Sequence, residues 1–304
     1  AKGQIVGEVD ALGGEMGLAA DATHIQMKIL NRSRGPAVQC LRSQNDKHDY
    51  NAYMRNRILG DANITAIEAM VMGLVIEDDV IKGIKTKEGS VLATSVVLTT
   101  GTFLKSKMYT GLESTIGGRI GEESAEELSE GLRSVFKIGR LKTGTPPRLH
   151  KDSIDYSNMT PQPGDNEFLR FSFRTPYNEK YKNQIDCHLT RTNLDTHSII
   201  LNGLDRSPLY TGIIDGKGPR YCPSIEDKVV RFKDNDHHQI FIEPEGYTTH
   251  EVYPQGLNTS LPNDVQDALL RSMVGLENVE ILKYGYAVEY DFFFPNQLHP
   301  TLET

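Results

Sequence analysis

The stretch Ser95-Val96-Val97-Leu98-Thr99-Thr100-Gly101 decides the fold class. It is a continuous apolar run closing on small residues, and a strand without polar alternation is one buried on both faces, as in a parallel sheet. A Thr-Thr-Gly exit lets a backbone come close to a ligand where the strand ends, which is where α/β sheets hold nucleotides. A plain strand-to-loop turn is the simpler alternative. Upstream the apolar period is two, so residues 64–69, 70–77, 80–85 and 91–99 read as short strands with turns at Asp78-Asp79 and Glu88-Gly89-Ser90. Further back, residues 4–20 read as a helix, 25–30 as a strand and 41–59 as a polar helix.

Downstream, Gly117-Gly118-Arg119-Ile120-Gly121 precedes an acidic helix over 122–136. Glycines before a helix start can cradle phosphate, but a glutamate-rich first turn repels an anion, which favours packing or a sugar contact. The word Gly139-Arg140-Leu141-Lys142-Thr143-Gly144-Thr145-Pro146-Pro147-Arg148 is too rich in glycine and proline for regular structure. Its basic side chains on a stiffened loop suit a phosphate or a flavin edge, with a surface turn as the default. Residues 152–202 are polar and irregular, a second domain or large insertion. Strands resume at 239–242, a helix runs from 261 to 273, and 279–282 and 286–294 are the last strands expected.

The chemistry concentrates in Gly218-Pro219-Arg220-Tyr221-Cys222-Pro223-Ser224-Ile225-Glu226-Asp227-Lys228-Val229-Val230-Arg231-Phe232. Residues 209–214 read as a short strand, and the apolar pattern after Ser224 is helical. Pro223 at the first helical position would leave Cys222 as the N-cap; alternatively Ser224 caps the helix and Asp227 completes a capping box. Either way the sulfur lies near unpaired backbone N–H groups with Arg220 close by, conditions that favour the nucleophilic thiolate. A buried structural cysteine before an ordinary capped helix is the competing reading.

Composition narrows the classes. The 304 residues are 38% hydrophobic and 24% charged, ordinary for a globular protein with many loops, and no apolar run is long enough to span a membrane. Three scattered cysteines, Cys40, Cys187 and Cys222, argue against a disulfide framework and a CxxC zinc site. His237-His238 are adjacent and lack an HExxH context, and no G-x-G-x-x-G occurs. The net charge of -8 speaks against a generic nucleic-acid coat, yet Lys28, Arg32, Arg34, Arg42, Lys47, Arg55 and Arg57 gather against only Asp46 and Asp49. Such runs are most often solvated faces, and this one is also a candidate for a nucleic-acid backbone.

Several long words occur in a fixed order. They are Glu8-Val9-Asp10-Ala11-Leu12-Gly13-Gly14, Leu30-Asn31 with Gly35-Pro36-Ala37-Val38, Val97-Leu98-Thr99-Thr100-Gly101-Thr102-Phe103-Leu104, and the GRLKTGTPPR and GPRYCPSIEDK words. Glu243-Pro244-Glu245-Gly246, Tyr286 with Glu289-Tyr290-Asp291, and Pro300-Thr301-Leu302-Glu303 follow. On these the whole chain resembles the MnmG (GidA) family of flavin-dependent tRNA-modifying proteins. The resemblance implies an α/β fold of the FAD-dependent type with two dinucleotide-binding domains. A Rossmann-like FAD domain with a β-meander would occupy 1–150, an inserted nicotinamide and substrate domain 151–275, and a return to the FAD domain 276–304. It also implies a central fragment, truncated at both ends, because family members begin with a GGGxAG loop for the FAD pyrophosphate and continue into a helical partner-docking domain.

Carried over by motif, Cys222 corresponds to a functional cysteine, and the segment from Gly218 to Phe232 to the part assigned to nicotinamide dinucleotide binding. Val71 falls where the family contacts FAD, and Thr99 and Gly101 lie at the strand exit. Ser124 stands near another FAD contact, although Gly121-Glu122-Glu123-Ser124-Ala125 lacks the family's prolines and shifts the serine by one position. The activity implied is construction of a (carboxymethyl)aminomethyl group at C5 of the tRNA wobble uridine. It would draw on FAD, NADH and methylene-tetrahydrofolate, with an MnmE-type GTPase partner, a homodimer within a heterotetramer, and no membrane. The setting implied is the cytoplasm, or the mitochondrion in a eukaryote. A folate- and FAD-dependent tRNA uridine C5-methyltransferase and a non-catalytic flavin-binding assembly subunit are the alternatives.

Overall fold

The computed structural model describes residues 3–177, 183–216, 218 and 223–304. Its helices in chain order are α1 (Gly3–Ala11), α2 (Met16–Thr23), α3 (Lys47–Leu59), α4 (Glu126–Arg133), α5 (Leu194–Asn202), α6 (Ile225–Arg231) and α7 (Asn263–Arg271). The strands of the first half are β1 (His24–Leu30), β2 (Cys40–Asn45), β3 (Val71–Glu77), β4 (Val80–Thr86), β5 (Gly89–Leu92), β6 (Lys107–Thr110), β7 (Glu113–Ile116), β8 (Ile138–Thr145) and β9 (Arg148–His150). Those of the second half are β10 (Thr160–Gln162), β11 (Cys187–Arg191), β12 (Gln239–Pro244), β13 (Glu251–Gln255), β14 (Ile281–Lys283) and β15 (Tyr286–Phe293). They form a β1–β2 ribbon, a β3–β4–β5 meander, a sheet in the order β7-β6-β15-β8 and a larger sheet in the order β10-β11-β12-β13-β9-β14. None of the helices is long and apolar enough to cross a membrane.

The N-terminal helix expected over 4–20 is two helices. Gly13, at φ 88°, sits in the left-handed region that only glycine enters without strain, and Gly14 N closes α1 by donating to Val9 O at 2.8 Å. The helix expected over 41–59 starts later. Asp46 accepts from His48 N at 2.9 Å and Asp49 N at 3.1 Å, capping α3, while the six residues before it extend and pair with β1. The first two strands of the meander lie close to where they are expected, and Asp78 and Asp79 both take positive φ, the turn geometry that matches the twist of a tight hairpin; the third, β5, covers Gly89–Leu92 instead of 91–99, so Gly89 and Ser90 are strand and the turn is Lys87-Glu88. Residues 64–69, expected as a strand, are unpaired.

The deciding stretch behaves differently from expectation. Residues 95–100 form no strand, and Val97 is 84% exposed. A strand apolar on both sides needs hydrogen-bonding neighbours and cover on both faces; among the described residues no strand pairs with this run, and only Leu98 packs on a core, the cluster of Leu104, Leu128 and Leu132. Every strand pair among the described residues is antiparallel, and Leu104–Ala125 is the one parallel bridge there.

The GRLKTGTPPR word, expected as loop, is mostly strand. β8 pairs with β15 along its whole length, from Thr145 opposite Tyr286 to Ile138 opposite Phe293. Gly139 suits this ladder because a Cβ there would lie 2.6 Å from the Phe292 ring. Pro146 and Pro147 then end β8, and β9 crosses into the larger sheet.

That sheet carries the main core. Leu149, Ile240, Ile242 and Val252 meet Ile200 of α5, Ile225 and Val229 of α6, and Leu269 and Leu270 of α7. Each fully buried aliphatic side chain contributes about 1.5–3 kcal/mol relative to exposure. A smaller cluster packs Leu128 and Leu132 of α4 on Leu104, with Val71, Leu74 and Phe293 at its edge.

Candidate functional site

Four of the quoted words converge on one cleft of about 330 Å³, lined by Gly101, Thr102 and Phe103, by Gly118 and Arg119, by Thr143, Gly144 and Thr145, and by Tyr286 and Val288. The sequence builds it from close backbone approaches. Thr102 Oγ1 donates to Gly118 O at 3.1 Å, and the Phe103 ring lies so near Gly118 that a Cβ there would fall 2.5 Å from a ring carbon. Gly101 turns the chain at φ 53°. The opposite wall is the β8–β15 ladder at Thr145 and Tyr286.

Beneath the cleft is a charged hub. Arg140 donates to Asp291 Oδ1 and Glu289 Oε2, both at 2.8 Å, and to Lys105 O at 2.7 Å. Asp291, fully enclosed, also accepts from Arg133 at 2.7 Å and from Ser129. The second oxygen of Glu289 accepts from Gly216 N at 2.6 Å, so the hub reaches the loop that leads to Gly218. A Cβ on Gly216 would lie 3.0 Å from that carboxylate, and glycine is what permits the approach.

Cys222, together with Pro219, Arg220 and Tyr221, lies outside the described residues. Gly218 and Pro223 are exposed. Residues 209–214, expected as a strand, are turns in which Thr211 N and Tyr210 N return to Ser207 O. Of the two capping alternatives, the helix adopts the Ser224–Asp227 box. α6 then splits by face. Ile225 and Val229 enter the core, Lys228 Nζ holds Gly256 O at 2.7 Å, and Val230, Arg231 and Phe232 face outward. Glu226 is completely buried, its Oε1 accepting from Thr259 Oγ1 at 3.0 Å and Ser260 N at 3.1 Å while Oε2 has no hydrogen-bond partner among the described residues. Burial pushes its carboxyl up from the ordinary value, and the buried Lys142 works against that shift.

The remaining expected contacts are scattered. Gly101 lines the cleft, and Thr99 is exposed just before it. Val71 packs on the α4 cluster. Ser124 uses its hydroxyl internally, accepting from Ser106 N at 2.7 Å and donating to Glu126 at 2.6 Å. Of the other cysteines, Cys187 is buried and its thiol is pushed up to about 12 by that burial, which removes it as a nucleophile.

The basic run of residues 28–57 is largely neutralised. Arg32 pairs with Asp165 and Glu167, Arg42 with Glu243, Lys47 with Glu245 and Glu251, and Arg57 with Glu15. Among the described residues Lys28, Arg34 and Arg55 have no ion-pair partner, and Lys28 Nζ donates to Pro163 O at 3.1 Å. Sequence reasoning assigned no role to Glu289 and Asp291. The available signal was two acids two apart in an otherwise apolar strand, hence on one face, where they require a buried cation.

The sequence pattern of the family described as "Glucose inhibited division protein A" matches residues 1–304. A relative from Bdellovibrio bacteriovorus, named tRNA uridine 5-carboxymethylaminomethyl modification enzyme MnmG, is 49% identical over 306 aligned positions, covering 100% of this chain and 48% of that protein. The structure superposes on Aquifex aeolicus GidA in its form I crystal with a TM-score of 0.94 at 47% identity, covering 100% of this chain and 52% of that one. For the form II crystal the TM-score is 0.92 at 44% identity, with 100% and 49% covered. The chain belongs to the GidA family and has its mixed α/β fold. It spans about half the length of the relatives it matches.

Proposed function

We propose that the protein carrying this chain installs a (carboxymethyl)aminomethyl group at C5 of the wobble uridine of tRNA, using FAD and NADH together with an MnmE-type GTPase. The observation that carries this reading is the cleft where the Gly101 turn, the Gly118 loop, β8 and Tyr286 meet. Its walls fit the flavin end of FAD. Gly101, Gly118 and Gly144 bring bare backbone to its lining, the Phe103 ring closes against Gly118, and Tyr286 adds a second aromatic side chain. The described residues offer the phosphates less, since α4 opens with Glu126 and Glu127 and α6 is closed by its own capping box.

When bound, the flavin supplies hydride and one-carbon transfer chemistry, with methylene-tetrahydrofolate as the one-carbon donor. The chain's own residues fix geometry. The Arg140–Glu289 pair holds the Gly216 backbone, six residues before Cys222 in sequence. In this reading the Cys222 thiolate adds to C6 of the uracil, which makes C5 carbanion-like and ready for an electrophilic carbon. A wobble base sits in a single-stranded loop and can be splayed into a pocket. We place the protein in the cytoplasm, or the mitochondrion of a eukaryote, as a homodimer within a heterotetramer. The three-part division at residues 150 and 275 belongs to the same proposal.

The test is nucleoside mass spectrometry of tRNA from cells lacking the gene, complemented with wild type or Cys222→Ser. Loss of the C5-aminomethylated wobble uridine, restored by wild type alone, is expected. An unchanged nucleoside profile in the deletion overturns the activity, and full restoration by Cys222→Ser overturns the role of the thiol.

A further inference from the structure

Away from the cleft, three side chains able to ligate a metal meet at the end of the β9–β13 pair. His150 closes β9, Asp152 follows in the 3-10 turn Lys151–Ser153, and His250 directly precedes β13. The sheet brings together residues far apart in sequence. His150 stands opposite Glu251 and Leu149 opposite Val252, and Lys151 N donates to His250 O at 2.9 Å. The two imidazoles stack with centres 4.8 Å apart and 22° between their planes. Both turn Nδ1 towards the same carboxylate oxygen, His250 at 3.0 Å and His150 at 3.9 Å from Asp152 Oδ2. All three ligand atoms lie within 4.8 Å of one another.

We propose that His150, Asp152 and His250 form a binding site for a divalent first-row transition metal, and we commit to zinc. Zinc holds nitrogen and oxygen ligands at about 2.0–2.1 Å, which puts neighbouring ligands of a tetrahedron roughly 3.3 Å apart. The two carboxylate–imidazole separations bracket that value, and rotation of the half-exposed and exposed rings out of their stack brings all three ligand atoms, now within 4.8 Å of one another, onto one ion. Two imidazoles with one carboxylate select zinc, copper or nickel over magnesium and calcium, which take oxygen ligands. Asp152 N donates to His150 Nδ1 at 3.3 Å, so in the neutral ring that nitrogen is the unprotonated one, and a bound metal takes its lone pair over from this long hydrogen bond. A histidine–aspartate hydrogen bond explains the His250–Asp152 contact alone. The Asp152 N–H bond sets His150 Nδ1 on the same side, and the stacking brings this second imidazole to the same carboxylate. Three protein ligands leave the fourth position to water. A bound ion would tie β9 to β13, which pair only briefly, and would stabilise the folded state by mass action.

The test is calorimetric titration of zinc chloride into the full-length protein after removal of metal with a chelator, followed by cobalt substitution. One zinc per chain is expected at this site, with a higher melting temperature that a chelator reverses. Loss of an outer hydrogen-bond partner typically weakens a metal site 10–100-fold, so loss of a ligand in His250→Gln should weaken zinc by about 100-fold or more. His250 is exposed, and the metal-free melting temperature of this variant should match wild type. The cobalt form should show tetrahedral d–d absorption without thiolate charge-transfer bands. No stoichiometric zinc, unchanged affinity in both His250→Gln and His150→Ala, or a cobalt spectrum with thiolate bands would each overturn the proposal.

Discussion

The larger sheet and the β3–β5 meander are both made of short antiparallel strands, yet their apolar side chains are covered very differently. Ile240, Ile242, Leu261 and Leu269 are fully enclosed beneath α5, α6 and α7. Around the meander, Ile67 is 62% and Leu92 75% exposed, and α4 covers only the face that carries Val71 and Leu74. The same alternation of residues therefore marks a surface to be covered in both regions, but the described chain supplies the cover in one. A sheet sealed by its own helices should behave as a cooperative unit, and a half-covered meander should tolerate substitution.

The sharpest way to break that contrast is Leu269→Ala. It removes a fully enclosed side chain from the α7 face and should destabilise the protein by about 2–5 kcal/mol, read from urea unfolding. A loss below about 1 kcal/mol would mean that the core is less closed than it looks. Next comes Arg140→Met, which leaves Glu289 and Asp291 buried without their shared cation. Removing one partner of a buried pair is strongly destabilising, and with Arg133 still on Asp291 we expect about 2–3 kcal/mol. A double-mutant cycle with Glu289→Gln should show non-additivity, because the two groups touch.

A milder effect is expected from acid. Burial acts against ionisation of Glu251, but hydrogen bonds from Lys283 and Lys47 more than offset it and hold the carboxyl at about 2. Its folded value lies below the unfolded one, so its contribution is fully present above the ordinary glutamate range and is lost as pH falls from there towards about 2. Glu226 has the opposite sign. Its folded value is raised by burial, so it destabilises the fold as pH rises above 4.5, and Glu226→Gln should remove that part of the profile. Urea midpoints across an acid titration check both, and a Glu226→Gln profile that still falls over the same range would contradict the burial argument. Smaller still is Ser224→Ala, which deletes one half of the capping box and should destabilise by about 1 kcal/mol. A measured change near zero would mean that Asp227 and solvent satisfy the α6 terminus without it.

These outcomes follow how legible each part was. Where a signal is local, it was readable: the Asp78-Asp79 turn, the Ser224 box as one of two capping alternatives, and the last strand over 286–293 all appear where the residues place them. Where a partner distant in sequence decides, local reading failed. Gly139 and Gly144 suggest a loop, and only a full ladder with β15 makes them strand. Leu41 to Asn45 suggest part of a helix until β1 is present to pair with them. The cleft was half legible, since Gly101 and the Gly118 loop stood out as glycine turns. The Arg140 hub did not, because the arginine is separated from its two carboxylates by about half the chain.

Val97 gives the smallest predicted effect and the most direct measure of the contrast. Its run has the composition of a central parallel strand, yet in the chain described it is 84% exposed. Val97→Ser in a protein limited to this chain should change stability by about 0.5 kcal/mol or less, since no buried apolar area is lost. If the run is covered in the full-length protein, the same substitution there places a hydroxyl in an apolar layer and should destabilise by about 1–3 kcal/mol. The difference between the two measurements, both from urea unfolding, reads the cover directly. Equal small values would mean that the run stays open to solvent in the longer protein, and that its apolar composition serves a ligand or partner rather than a sheet.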